Sequence, residues 1–169
     1  MKSERNRPIK TNVEKLVLSY GELHISLCND TDVITEAISD EDARKSFPPD
    51  GKLVSSELDT FFLILLDHTI VGFYRIIDLF FDGEIELHGS FFRHNTLLNR
   101  AYFMLTVRFV DSIMRQYADK TICTTIAKDN IAVRKFLDFL GFVAKEVPDD
   151  SSPYIRYVKK RSPNDDCKA

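Results

Sequence analysis

The chain has 169 residues, 44% hydrophobic and 29% charged, with 23 lysines and arginines against 26 aspartates and glutamates and a formal net charge of -3. That composition excludes wholesale disorder, and the length suits one domain, expected over residues 13–160 with flexible ends at 1–12 and 161–169. The slight acidity argues against general nucleic-acid binding, which draws on concentrated positive charge. No apolar run approaches the roughly 20 residues of a membrane span, and the first eight residues, MKSERNRP, lack the apolar stretch of a secretory signal, so no membrane association and a cytoplasmic location are expected. Cys28, Cys123 and Cys167 are too few and too far apart for a disulfide framework or a zinc site, and no metal is expected.

In chain order, the spacing predicts a short amphipathic helix over residues 13–20 and then a half-buried strand at Leu23-His24-Ile25-Ser26-Leu27. Asn29-Asp30-Thr31 offers capping side chains for a helix reaching about Lys45, which Pro48-Pro49 stops. The β-prone runs at 61–66 and 70–77 flank a tight turn at Asp67-His68-Thr69 and read as a hairpin. Asp82-Gly83 supplies the positive φ of a second turn, leading into a third strand over residues 84–92. From Leu97 to Tyr117 the apolar stripe Leu98, Ala101, Leu105, Phe109 and Ile113 predicts about five turns of helix lying across a sheet. A β-branched strand at 121–127 precedes a short helix capped by Asp129-Asn130 and ended by Gly141 at C′, and the last two strands are expected at 142–147 and 154–159. One phenylalanine of each pair, Phe61-Phe62, Phe80-Phe81 and Phe91-Phe92, must face a second layer or a partner; an exposed Phe80 or Phe81 would make a homodimer contact or an acceptor groove.

This order, with Ala127-Lys128-Asp129-Asn130-Ile131-Ala132-Val133-Arg134-Lys135-Phe136-Leu137-Asp138-Phe139-Leu140-Gly141-Phe142, resembles the GNAT superfamily of acyl-CoA-dependent N-acetyltransferases over roughly residues 20–160. Asn130, Gly141 and Phe142 match the family's strand, Asn, short helix and Gly-Phe sequence, and Val71-Gly72 matches its Val-Gly step. The resemblance implies an α+β fold: a mostly antiparallel mixed sheet of six or seven strands flanked by helices. It also implies acetyl-CoA as cosubstrate and an amine-bearing acceptor, small molecule or protein.

Two positions depart from the family. Its coenzyme phosphate loop has the form Gln/Arg-x-x-Gly-x-Gly/Ala, whose glycines let bare N–H groups reach the pyrophosphate at a helix start. Here Arg93-His94-Asn95-Thr96-Leu97-Leu98-Asn99-Arg100-Ala101 contains no glycine, so an anion would be held by the side chains of Arg93, Asn95, Thr96 and Arg100. The Tyr that many members place seven residues after the Asn, as general acid, is Leu137 here.

Alternation along the third strand puts Glu84, Glu86, His88 and Ser90 on one side and Ile85, Leu87 and Phe91 on the other. By the resemblance this strand borders the acetyl group, so Glu86 and His88 are the candidate bases, backbone N–H groups at Ser90, Phe91 and Phe92 the candidate carbonyl donors, and Asn130 a neighbour of the pantetheine arm. The same stripe equally suits a sheet side facing water. Two functions follow: an N-acetyltransferase moving acetyl from acetyl-CoA to a primary amine by direct attack, or a catalytically degenerate GNAT-fold binding or assembly protein of the phage head-assembly kind.

Overall fold

In the computed structural model of the chain, residues 15–39, 59–79, 83–92, 96–145 and 151–160 are described. The expected frayed ends at 1–12 and 161–169, the helix beyond Ser39, and Phe80-Phe81 lie outside them. Strands β1 (Lys15–Tyr20) and β2 (Leu23–Cys28) form an antiparallel hairpin, with Gly21 at φ +59 as the first of its two loop residues. The helix expected over 13–20 is therefore corrected to a strand: Tyr20 pairs with Leu23 across the glycine turn, and that pairing outweighs a weak helical period. The register of β1 slips between Leu16 and Leu18, a bulge on the first edge of the sheet.

Helix α1 (Thr31–Ser39) is capped by Asp30, whose Oδ1 accepts from the N–H groups of Asp32 and Val33 at 3.0 and 3.2 Å. Strands β3 (Asp59–Leu66) and β4 (Thr69–Leu79) are joined by Asp67 and His68, both at positive φ (46° and 64°), as a two-residue hairpin turn with right-handed strands requires. Then come β5 (Glu84–Phe91), α2 (Thr96–Gln116), β6 (Thr121–Ala127), α3 (Ile131–Phe139), β7 (Val143–Lys145) and β8 (Tyr154–Lys159). The strands hydrogen-bond in the order β1-β2-β3-β4-β5-β6-β8-β7, eight where the sequence led to six or seven, with β1 the addition. No helix among the described residues is long and apolar enough to cross a membrane.

The chain divides into two compact units, one of residues up to Arg75 with Gly89–Arg108, the other of Ile76–His88 with the residues from Phe109 on. In the first, α1 buries Val33, Ile34 and Ala37 with Phe61, Leu63, Leu65, Ile70 and Phe73, and Phe92 packs on that cluster. The adjacent residues turn the other way: Tyr74 meets Phe91 edge-on at 6.0 Å, and Phe91 lies 4.4 Å from Tyr102 of α2. The Tyr74 hydroxyl shares a hydrogen bond with Thr106, whose hydroxyl donates to the Tyr102 carbonyl at 2.7 Å. Phe91 and Phe92 thus serve opposite faces, as a two-sided strand demands.

In the second unit Ile85, Phe109, Ile113 and Ile122 are buried. Helix α3 starts at Asn130, whose Oδ1 accepts from Val133 N–H at 3.2 Å, and ends in a Schellman arrangement: Gly141 (φ +79) donates to Asp138 O and Phe142 to Leu137 O, each at 3.0 Å. Lys159 Nζ donates to the Leu140 carbonyl at the same helix end.

The Val71-Gly72 step has a steric cause in the first unit. A Cβ on Gly72 would lie 2.4 Å from the Ser90 carbonyl oxygen, a backbone atom that cannot swing aside. Gly72→Ala should therefore cost about 1–3 kcal/mol by urea denaturation. Gly21→Ala, with nothing within 4 Å of the added carbon, should cost only the positive-φ strain of about 1–2 kcal/mol. Equal stability of Gly72→Ala and wild type would show that β4 and β5 can part there.

Candidate active site

Strand β5 has to satisfy different partners with alternate residues. Gly83 O accepts from Thr121 N–H at 3.0 Å, so the peptide groups of odd-numbered residues turn toward β6; Phe92 N–H donates to Val71 O at 2.8 Å, so those of even-numbered residues turn toward β4. The parallel β5–β6 ladder is short, pairing Glu84 with Thr121, Ile85 with Ile122 and Glu86 with Cys123, and goes no further. From there β6 keeps its partner on the other side, pairing with β8 from Ile122↔Lys159 to Ala127↔Tyr154.

The end of that ladder is where the polar side chains gather. His88 Nε2 lies 3.3 Å from Glu86 Oε1, with side chains 23% and 26% exposed, and Thr125 of β6 reaches the same carboxylate oxygen at 3.5 Å. The His88 hydrogen bond holds the Glu86 carboxyl below the usual carboxylate range against the opposing effect of burial, and the charges of His88 and Arg156 act in the same direction. Arg156 of β8 donates through Nη2 to Glu84 and, at 3.3 Å, to the Cys123 sulfur. Lys145 Nζ lies 3.9 Å from Glu84. Cys123 is buried and donates to Ile85 O at 3.3 Å; burial pushes its thiol pKa up, so it is poorly suited to be a nucleophile.

Of the residues singled out in the sequence, Glu86 and His88 are thus brought together, half-buried rather than washed by solvent. Ser90 follows on the same side of β5 and is 2% exposed. Phe92 N–H is bound to Val71 O at 2.8 Å. Arg93 and Asn95 lie outside the described residues, Thr96 opens α2, and Arg100 is exposed on that helix. Asn130 is an exposed cap for α3, and Leu137 is buried, its side chain part of the packing under that helix. Cys123, Thr125 and Arg156 went unnoticed as site residues. Their only sequence signal is strand alternation, Thr125 and Arg156 being partners in the β6–β8 register. Among the described residues no group of three metal-ligating side chains comes together.

No protein-family profile matches the chain, and no curated protein matches it. Solved structures do. A ribosomal-protein-S5-alanine acetyltransferase from Vibrio fischeri superposes with a TM-score of 0.59 at 17% identity, covering 90% of this chain and 98% of its own. RimL, a ribosomal L7/L12 alpha-N-protein acetyltransferase solved with coenzyme A, gives 0.62 at 8% identity, with 86% and 98% covered. A Bacillus subtilis acetyltransferase, also solved with coenzyme A, gives 0.58 at 10% identity, with 83% and 99% covered.

The depressed Glu86 carboxyl sets a pH dependence. A folded-state pKa below the unfolded value stabilises the protein above the ordinary Glu range of about 4.3, and that contribution is lost as pH falls through the folded value. Glu86→Gln should cost about 1 kcal/mol near pH 6 in urea denaturation, and the gap should narrow as pH falls below the ordinary Glu range. A gap independent of pH would show that Glu86 gains nothing from His88 and Arg156.

Proposed function

From the GNAT acyl-CoA N-acyltransferase fold that this chain has, we propose that it is an N-acetyltransferase that moves acetyl from acetyl-CoA to a primary amine by direct attack. The observation that carries this reading is the half-buried Glu86–His88 pair on β5 at the point where the β5–β6 ladder stops. Coenzyme A complexes of two fold neighbours support the choice of cosubstrate, and the two neighbours named for ribosomal proteins support an amine acceptor.

An amine that arrives as an ammonium must lose a proton before its lone pair can attack. Glu86, held as a carboxylate, orients the imidazole of His88, and His88 takes that proton. Bound acetyl-CoA supplies a thioester carbonyl. As the N–C bond forms and the C–S bond breaks, the ammonium gives up two protons, one to His88 and one to the departing sulfur. By the family resemblance, a backbone N–H of the Ser90, Phe91 and Phe92 stretch would bind the carbonyl oxygen. Leu137 has no proton to give, so the sulfur's proton comes from the nitrogen. The coenzyme phosphates, without loop glycines, fall to the side chains of Arg93, Asn95, Thr96 and Arg100, and the pantetheine arm to the neighbourhood of Asn130.

Calorimetric titration with acetyl-CoA should show saturable binding in the micromolar range. Glu86→Gln and His88→Ala should each lower amine-dependent thiol release about 100-fold while leaving coenzyme affinity within about twofold. Absence of heat at millimolar acetyl-CoA would leave the assembly-protein reading standing instead, and unchanged rates in both variants would remove the pair from the chemistry.

A further inference from the structure

Helix α3 turns one side inward and leaves the other to solvent. Its sequence, IAVRKFLDF, advances about 100° per residue, so Val133, Leu137 and the capping Leu140 fall on one side. Leu137 and Leu140 are buried, and Arg134 Nε donates to the Tyr157 hydroxyl at 3.3 Å, which ties the helix to β8. The outward side carries Ile131, Ala132, Lys135, Asp138 and Phe139, all exposed. A surface helix normally puts charged and polar side chains there. Instead Ile131 is 51% and Phe139 67% exposed, and no other large apolar side chain on a described helix is as open. Val143 is similarly open but lies on the other face of the sheet, since it pairs with Val158 and not with Tyr157, the residue α3 covers.

This outward face is complementary to itself when reversed. Ile131, Lys135 and Phe139 stand in a row at i, i+4 and i+8, with Ala132 beside them near one end and Asp138 near the other. In an antiparallel pairing, the largest side chain of the face, Phe139, meets the smallest, Ala132 of a second copy. The same register brings the Lys135 ammonium within reach of the second copy's Asp138. A parallel pairing would set Phe139 on Phe139 and Lys135 on Lys135. One cation and one anion leave the face neutral, which gives a polyanion or an anionic membrane nothing to hold.

We propose that α3 is a self-association surface, packing antiparallel against α3 of a second copy of this chain about a two-fold axis, with Phe139 on Ala132 and Lys135 paired with Asp138. Such an interface is isologous, so each contact occurs twice. The helix has nine residues, and its face is smaller than the roughly 800 Å² per partner of a standard interface, so the dimer is weak, with Kd of about 10–100 μM. Neither Glu86 nor His88 takes part, and the proposal stands apart from the transferase reading.

Sedimentation equilibrium on the whole chain between about 5 and 500 μM should show monomer passing to dimer with no larger species. Phe139→Ser should weaken association about tenfold. Lys135→Glu and Asp138→Lys should each weaken it about fivefold, because each reversal sets like charges together twice, and Lys135→Glu/Asp138→Lys should return it to near the wild-type value. Should Phe139→Ser fail to fold, Ala132→Arg, which puts a long charged side chain under the second copy's Phe139, must have the same effect. A chain that is monomeric at the top of the range, growth beyond the dimer, a dimer indifferent to Phe139→Ser or Ala132→Arg, single reversals without effect, or a double reversal that recovers nothing overturns the proposal.

Discussion

The structure depends on one strand keeping two unlike neighbours. The peptide groups of β5 alternate between β4 on one edge and β6 on the other, and its side chains alternate between the two faces of the sheet. Because the parallel ladder to β6 ends at Glu86↔Cys123, the peptide groups of later odd-numbered residues are not used by it. The same alternation sends Ile85 and Leu87 into the core and leaves Glu84, Glu86 and His88 as one polar row. The close approach of Gly72 to Ser90 O fixes the register on the other edge.

Within the polar row the partnerships divide the labour. Glu84 is neutralised by Arg156 and Lys145, so it organises cations instead of attracting them. Glu86 is left to His88, with Thr125 as a longer contact. A carboxylate so placed is a poor proton acceptor on its own account, since its acid form is disfavoured, and a good anchor for an imidazole. Cys123 sits under the group with its thiol given to Ile85 O, filling space with a small apolar side chain.

Most of the fold was legible because its signals are local. Asp67-His68, Gly83, Asp30, Asn130 and Gly141 mark turns and helix ends through the conformations they tolerate or the N–H groups they cap, and each stands where those rules put it. Lys15–Tyr20 was misread because a short apolar run has no decisive period and its state is settled by β2. Glu86 and His88 could be singled out since both lie on one strand, two residues apart. Arg156 could not, because it meets Glu84 across 72 residues through the β6–β8 pairing, which no local pattern encodes.

The outer strands carry a consequence for how the molecule behaves in company. At one border β1 is interrupted by the Leu16/Leu18 bulge, and at the other β7 has only three residues, all exposed and ending in Lys145. Neither offers a long flat row of unmatched amides that a stray chain could extend. The phenylalanine-bearing strands thus lie inside a sheet whose described borders are bulged or short, the kind of border that discourages strand addition.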